Sequence, residues 1–235
     1  MDQARIAEQL ATTLSLREPP VALAFVDSVP VGIPTLNEQV PSACAMWRKA
    51  ERQVFYAPAE SHYNCPVGSM TMGFDLPEAV KNELMGLVGK MCECGYFSAD
   101  EPAKMPTVGR KSQGIVYGPL KDLPVEPDLI LMWLTPKQAM YLNEGSGAAR
   151  WTAEPSSMFG RPGCAALPVA LGTSKPASSF GCMGMRTFTE IADDRFLAVL
   201  PAVKAEGFVQ SLVAVAAAND TMRAFYEERK ARFSG

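Results

Sequence analysis

The sequence predicts a mixed α+β fold: a partly antiparallel sheet flanked by helices, with cysteine-bearing loops converging on one site. Three observations carry this. Residues 21–26 and 129–134 are apolar runs of strand length bounded by turn formers. Residues 2–16 place Ile6, Leu10, Thr13 and Leu14 on one side of a helix and Arg5, Glu8 and Gln9 on the other. The connections are irregular and rich in Gly and Pro, so strands and helices do not alternate as in a parallel α/β sheet.

The elements follow in order. Pro19-Pro20 ends the first helix, and the strand at 21–26 gives way to a loop with Pro30, Gly32 and Pro34. Residues 42–52 read as a helix that brings Trp47, Arg48 and Lys49 close behind Cys44. Residues 54–57 read as a strand leading to a loop around Cys65. A helix over 76–91 opens with Asp75 as N-cap, Pro77 in its first turn and Glu78. Strands at 115–117 and 129–134 come next, the second running into Thr135-Pro136-Lys137-Gln138, a capping box that starts a helix through about Leu142. Residues 145–163 read as loop and 196–200 as a strand. Two helices, 202–217 and 219–232, close the chain, the last with Asn219 as N-cap and Glu228 and Arg232 four apart. The chain reads as one domain; a division into two lobes would fall near 100–113.

Composition excludes several function classes. In 235 residues there is one histidine, His62, so a metal centre here has to be thiolate-rich. Six cysteines and 13 methionines supply soft ligands. The net charge of −3, without a basic face, argues against nucleic acid as a partner. No apolar run reaches the 18 residues of a spanning helix, so no membrane partner is expected. The first residues carry charges at helical spacing and no signal-peptide core, which gives a cytoplasmic expectation. In that reducing compartment, dispersed cysteines favour metal binding or catalysis over disulfides.

Four cysteines stand alone beside residues that bend or bare the backbone: Ser42-Ala43-Cys44, Asn64-Cys65-Pro66 followed by Gly68, Pro162-Gly163-Cys164, and Gly181-Cys182-Met183-Gly184-Met185-Arg186. Glycine beside a thiolate lets N–H groups approach the sulfur and what it binds. In the last segment Gly181 and Gly184 allow a tight turn, and Arg186 offsets thiolate or cluster charge. Cys164 opens an apolar segment, where a helix N-terminus would stabilise a thiolate. Cys92-Glu93-Cys94 is different: on a helix its sulfurs point about 200° apart, so it chelates one ion only if the run is non-helical. A solvent-facing redox pair suits it better. His62 is a fifth ligand, a proton donor or an ordinary loop residue, and Met70, Met72, Met183 and Met185 are core filling unless the metal is Cu(I). There is no P-loop, dinucleotide fingerprint, nucleophile elbow or Cys-x-x-Cys.

The order Pro-Pro-Val-Ala-Leu-Ala-Phe at 19–25, Cys44, Asn-Cys-Pro-Val-Gly at 64–68, Met-Gly-Phe at 72–74, Pro-Asp-Leu-Ile-Leu at 127–131, Pro-Lys-Gln-Ala-Met at 136–140, Cys164 and Gly-Cys-Met-Gly-Met-Arg at 181–186 resembles a bacterial and archaeal family, domain of unknown function 169. The resemblance covers residues 5 to about 215. It implies a shared fold and a cysteine set falling on Cys44, Cys65, Cys164 and Cys182. Many relatives carry a further cysteine where this chain has Met185. Cys92 and Cys94 have no regular counterpart, and no reaction is implied.

The resulting expectation is a cytoplasmic iron–sulfur protein. Cys44, Cys65, Cys164 and Cys182 hold one 4Fe-4S cluster, with Gly181, Gly184 and Arg186 around the Cys182 ligand. Its role is electron transfer or small-ligand activation, with a redox partner protein or a small-molecule ligand, and a homo-oligomer is compatible with the sequence. The alternatives are a metal-free cysteine redox or sulfur-transfer enzyme, with Cys182 as nucleophile, and a thiolate module for Zn(II) or Cu(I).

Overall fold

The structure, a computed structural model, describes residues 1–96, 98–147, 158–159 and 161–233. Seven strands form one sheet: β1 (Val21–Val26), β2 (Phe55–Pro58), β3 (Gly114–Pro119), β4 (Leu129–Leu134), β5 (Met158–Phe159), β6 (Ala177–Ser179) and β7 (Phe196–Pro201). Their order is β2-β3-β1-β4-β7-β6-β5, and every pairing is antiparallel except the short β5–β6 pair. The fold is mixed α+β.

Side chains alternate along a strand, so each central strand feeds two cores. In β4, Leu129, Leu131 and Trp133 join Leu23, Tyr117, Leu197 and Val199 on one face. Ile130, Met132 and Leu134 join Ala22, Val116, Ala198 and Leu200 on the other. Because both faces are covered, these strands read as unbroken apolar runs. The second core is closed by α1 (Gln3–Leu14), α5 (Pro136–Gly145) and α8 (Ala205–Ala231). The first is closed by α2 (Ala43–Ala50) and α6 (Ala166–Thr173), with the short helices α3 (Pro66–Thr71) and α7 (Met183–Thr189) beside them; α4 (Glu78–Glu93) packs on α3.

The capping box at Thr135 forms as anticipated, and it does more than cap. The Gln138 amide also donates to the carbonyls of Leu14 (2.8 Å) and Ser15 (3.0 Å), fastening the start of α5 to the end of α1. With that anchor α5 continues to Gly145, past the expected end at Leu142.

Two caps differ from expectation. Asp75 does not cap α4, which begins at Glu78 behind Pro77; the Asp75 carboxylate pairs with Lys111 instead. The expected break before Asn219 is absent, and α8 runs through it as one 27-residue helix. The Asn219 amide is satisfied inside the helix by the Val215 carbonyl (3.1 Å) and by Glu144, so its competition with the backbone is removed. Of the loop expected at 145–163, residues 148–157 and 160 lie outside the described residues, and Met158–Phe159 forms β5.

Candidate functional site

The four singled-out cysteines stand at the starts of helices, not in loops. Cys44 is the second residue of α2, Cys65 is the N-cap of α3, Cys164 sits in the 3-10 turn Gly163–Ala165 that leads into α6, and Cys182 is the N-cap of α7. The first turn of a helix has free N–H groups and a partial positive charge, and both favour a thiolate.

The sulfurs have polar neighbours of their own. Ser42 precedes α2 without capping its backbone, and its hydroxyl lies 2.9 Å from the Cys44 sulfur. The backbone N–H groups of Ala43 and Gly68 favour the Cys65 thiolate. The Met185 N–H donates to Cys182 Sγ at 3.4 Å. Thr71, in the helix capped by Cys65, is within hydrogen-bonding reach of Cys164, although its proton is directed to the Val67 carbonyl at 2.8 Å. Toward a protonated Cys164 it therefore acts as an acceptor, and it must turn to stabilise the thiolate.

Glycines make these approaches available. A Cβ on Gly68 would sit 2.9 Å from Cys65 Sγ and 3.0 Å from Ala43 Cβ, so only glycine lets α3 close on the start of α2. Gly181 has φ +89°, and a Cβ there would lie 2.0 Å from Met185 Cε. A Cβ on Gly163 would meet Met185 Sδ at 2.7 Å and Gly181 Cα at 3.2 Å. Thus the residues preceding Cys164 and Cys182 pack against one another, with buried Met185 filling the notch between them. Gly184 is less constrained, since a Cβ there would find Cys182 Sγ at 4.0 Å.

The thiols feel one another. Burial pushes the Cys44 thiol up to about 12; Ser42 works against this, and Cys65 and Cys182 add to it. Burial also raises Cys65, with Cys182 adding to the rise. Cys164 rises most plainly through burial, with Cys65, Cys182 and Cys44 contributing and Thr71 opposing. Without a cation these sulfurs are held as neutral thiols. All six cysteines are free. Among the described residues, no group of three or more His, Cys, Asp or Glu side chains is arranged to hold a metal ion.

Arg186 is committed to the chain that carries Cys182. Its Nε and Nη2 donate to the Phe180 carbonyl (3.1 and 2.7 Å), and Nη1 donates to Ala192 (3.2 Å). His62 is fully buried: Nδ1 bonds the Pro58 carbonyl and Nε2 bonds the Tyr117 hydroxyl, each at 2.9 Å. Burial lowers its pKa to about 4, so it is a neutral core residue with both nitrogens engaged. Tyr117 itself is raised by burial and then by Cys164 and Cys44, and it shares the core that Cys44 joins and Cys164 packs against. Nothing in the local sequence distinguishes Tyr117 from any other strand aromatic. Ser42, two residues before Cys44, is visible in hindsight as a short Ser-x-Cys motif. Cys92 lies in the last turn of α4 and Cys94 caps its C-terminal end, exposed, its sulfur 3.5 Å from the Met91 carbonyl.

The family profile described as uncharacterised ArCR, domain of unknown function 169, matches residues 9–211. The chain belongs to this family. An uncharacterised protein of Methanocaldococcus jannaschii is 28% identical over 223 residues, covering 88% of this chain and 91% of that one. No solved structure matches. The family segment contains the sheet and all four helix-start cysteines, and it ends inside α8, at residue 211.

Proposed function

We propose that Cys44, Cys65, Cys164 and Cys182 hold one 4Fe-4S cluster, and that the protein is a cytoplasmic redox protein working in electron transfer or small-ligand activation. The observation that carries this reading is that four at least partly buried cysteines all stand at helix starts, where N–H groups favour a thiolate, and that the glycines before Cys164 and Cys182 pack against one another. Four thiolates with almost no imidazole suit such a cluster, which supplies one-electron chemistry when bound.

The chain's own residues then have defined roles. Helix-start N–H groups and the Ser42 hydroxyl stabilise the ligating thiolates; Gly68, Gly163 and Gly181 let the backbone approach; Arg186 straps the Gly181–Cys182 turn and adds a positive charge to its surroundings. Leu131, Trp133, Leu197 and Val199 make up the apolar core on this side and exclude water. The physiological counterpart is a redox partner protein or a small-molecule ligand.

Two observations favour the cluster over the alternatives. The thiols of Cys44, Cys65 and Cys164 are raised by burial and so are poor nucleophiles, and Arg186, close to Cys182 in sequence, spends its donors on carbonyls. Four thiolates spread over four separate helix starts suit a bulky cluster better than a single Zn(II), which draws its sulfurs to within about 2.3 Å. Anaerobic reconstitution followed by iron, acid-labile sulfide and zinc analysis tests the proposal. Iron with sulfide supports it; zinc alone, or a colourless protein with reactive thiols, overturns it.

A further inference from the structure

The end of α8 extends past the body. It bonds to the body from Asn219 to Glu144 and from Arg223 to the Tyr141 hydroxyl (2.9 Å). Beyond them residues 224–231 continue as helix for about 12 Å, and every residue from 220 to 233 is exposed. A helix end of this length without packing is marginal in water. The end is not polar all round. Met222 and Tyr226 lie four apart on one face, with Phe225 beside them and Phe233 just past the helix end, and Phe225, Tyr226 and Phe233 are 51%, 58% and 79% exposed. That face continues the stripe of Phe208, Leu212 and Val215 that packs on the body. The overhang lies beyond the family-matched segment, which ends at residue 211.

The charges say what covers it. Asp220, Arg223, Glu227 and Lys230 follow one another at steps of three, four and three along one flank of the apolar face. Within the chain Asp220 pairs with Arg223 (2.7 Å) and Glu227 with Lys230 (3.9 Å). Read backwards, acid-base-acid-base becomes base-acid-base-acid. An antiparallel copy turned about a two-fold axis at the level of residue 225 therefore sets Asp220 beside Lys230 and Arg223 beside Glu227, each contact made twice. The same axis brings Phe225 and Tyr226 together at the centre. We infer that the α8 overhang is the contact surface of a homodimer, in which two overhangs pair antiparallel through this face. A closed two-fold contact of this kind uses the same patch on both copies. An anionic membrane is a poorer occupant, because the segment carries three acids against four bases and two of those acids flank the apolar face.

This inference does not rest on the iron–sulfur reading. Sedimentation velocity on the full chain, with and without bound iron, should give a dimer in both states. Tyr226→Asp should raise the dimer dissociation constant by ~tenfold or more, with unchanged far-UV circular dichroism. Glu227→Lys and Arg223→Glu should each weaken the dimer alone. An equimolar mixture of the two should regain it, because each altered charge then meets its opposite. A monomer at all concentrations, a dimer indifferent to Tyr226→Asp, a mixture that fails to recover, or a monomer that binds phosphatidylglycerol vesicles would each overturn the inference.

Discussion

Cys44, Cys65, Cys164 and Cys182 stand at helix beginnings, whereas Cys92 and Cys94 stand at the end of α4. The residue type is the same and the setting is opposite. At a beginning, N–H groups point toward the sulfur and the helix dipole favours negative charge; at an end, carbonyls point outward and the dipole opposes it. The Cys182 sulfur accepts an N–H from Met185, while the Cys94 sulfur faces the Met91 carbonyl. The first set stands where N–H groups and the helix dipole favour negative charge on sulfur, and the second where they do not.

The largest effect that would break this contrast is loss of the cofactor. Cys164→Ser should abolish iron retention after anaerobic reconstitution; full retention would remove Cys164 from the ligand set. Gly181→Val should come next, because its φ of +89° and the 2.0 Å approach of Met185 leave no room for a side chain. A stability loss of about 3 kcal/mol or more in urea titration is expected, with cofactor loss, whereas Gly184→Ala should cost under about 1 kcal/mol. Equal behaviour of the two glycine variants would show that the turn is not the constraint.

Arg186→Ala should destabilise by about 1–2 kcal/mol, since it frees the Phe180 and Ala192 carbonyls, which are largely solvent-accessible. It should also lower the reduction potential, because removing a positive charge favours the oxidised cluster; a rise in potential would contradict a cationic role beside Cys182. In the metal-free protein, pH provides a smaller test. The Cys44 thiol goes from 9.0 in the unfolded chain to about 12 when folded, so the folded state holds its proton more tightly. Its contribution to stability is complete below pH 9 and declines as pH rises toward 12, by about 1 kcal/mol at pH 10. Cys44→Ala should flatten that slope in urea titrations at pH 7 and pH 10. The smallest effect belongs to the other set: Cys92→Ser with Cys94→Ser should leave iron content unchanged.

What was legible in the sequence was local. The Thr135–Gln138 capping box and the runs at 21–26 and 129–134 announce themselves within a few residues, and structure follows them. The helices α3 and α7 and the strand β6, of six, seven and three residues, carry no local signal, because elements this short are set by what they pack against. Asn219 misled because cap chemistry is read along the chain, while its partner Glu144 lies on another helix. At the site, cysteine and glycine spacing marked the sulfurs. It could not show that they begin helices, or that Tyr117 shares their core and bonds His62, since those contacts join residues far apart in sequence.

Iron and acid-labile sulfide content per chain, measured on anaerobically reconstituted protein, tests the central claim most directly. About four irons and four sulfides per chain are predicted, falling sharply when any one of Cys44, Cys65, Cys164 or Cys182 is changed to Ser. Absence of both elements, or undiminished content in those four variants, would contradict it.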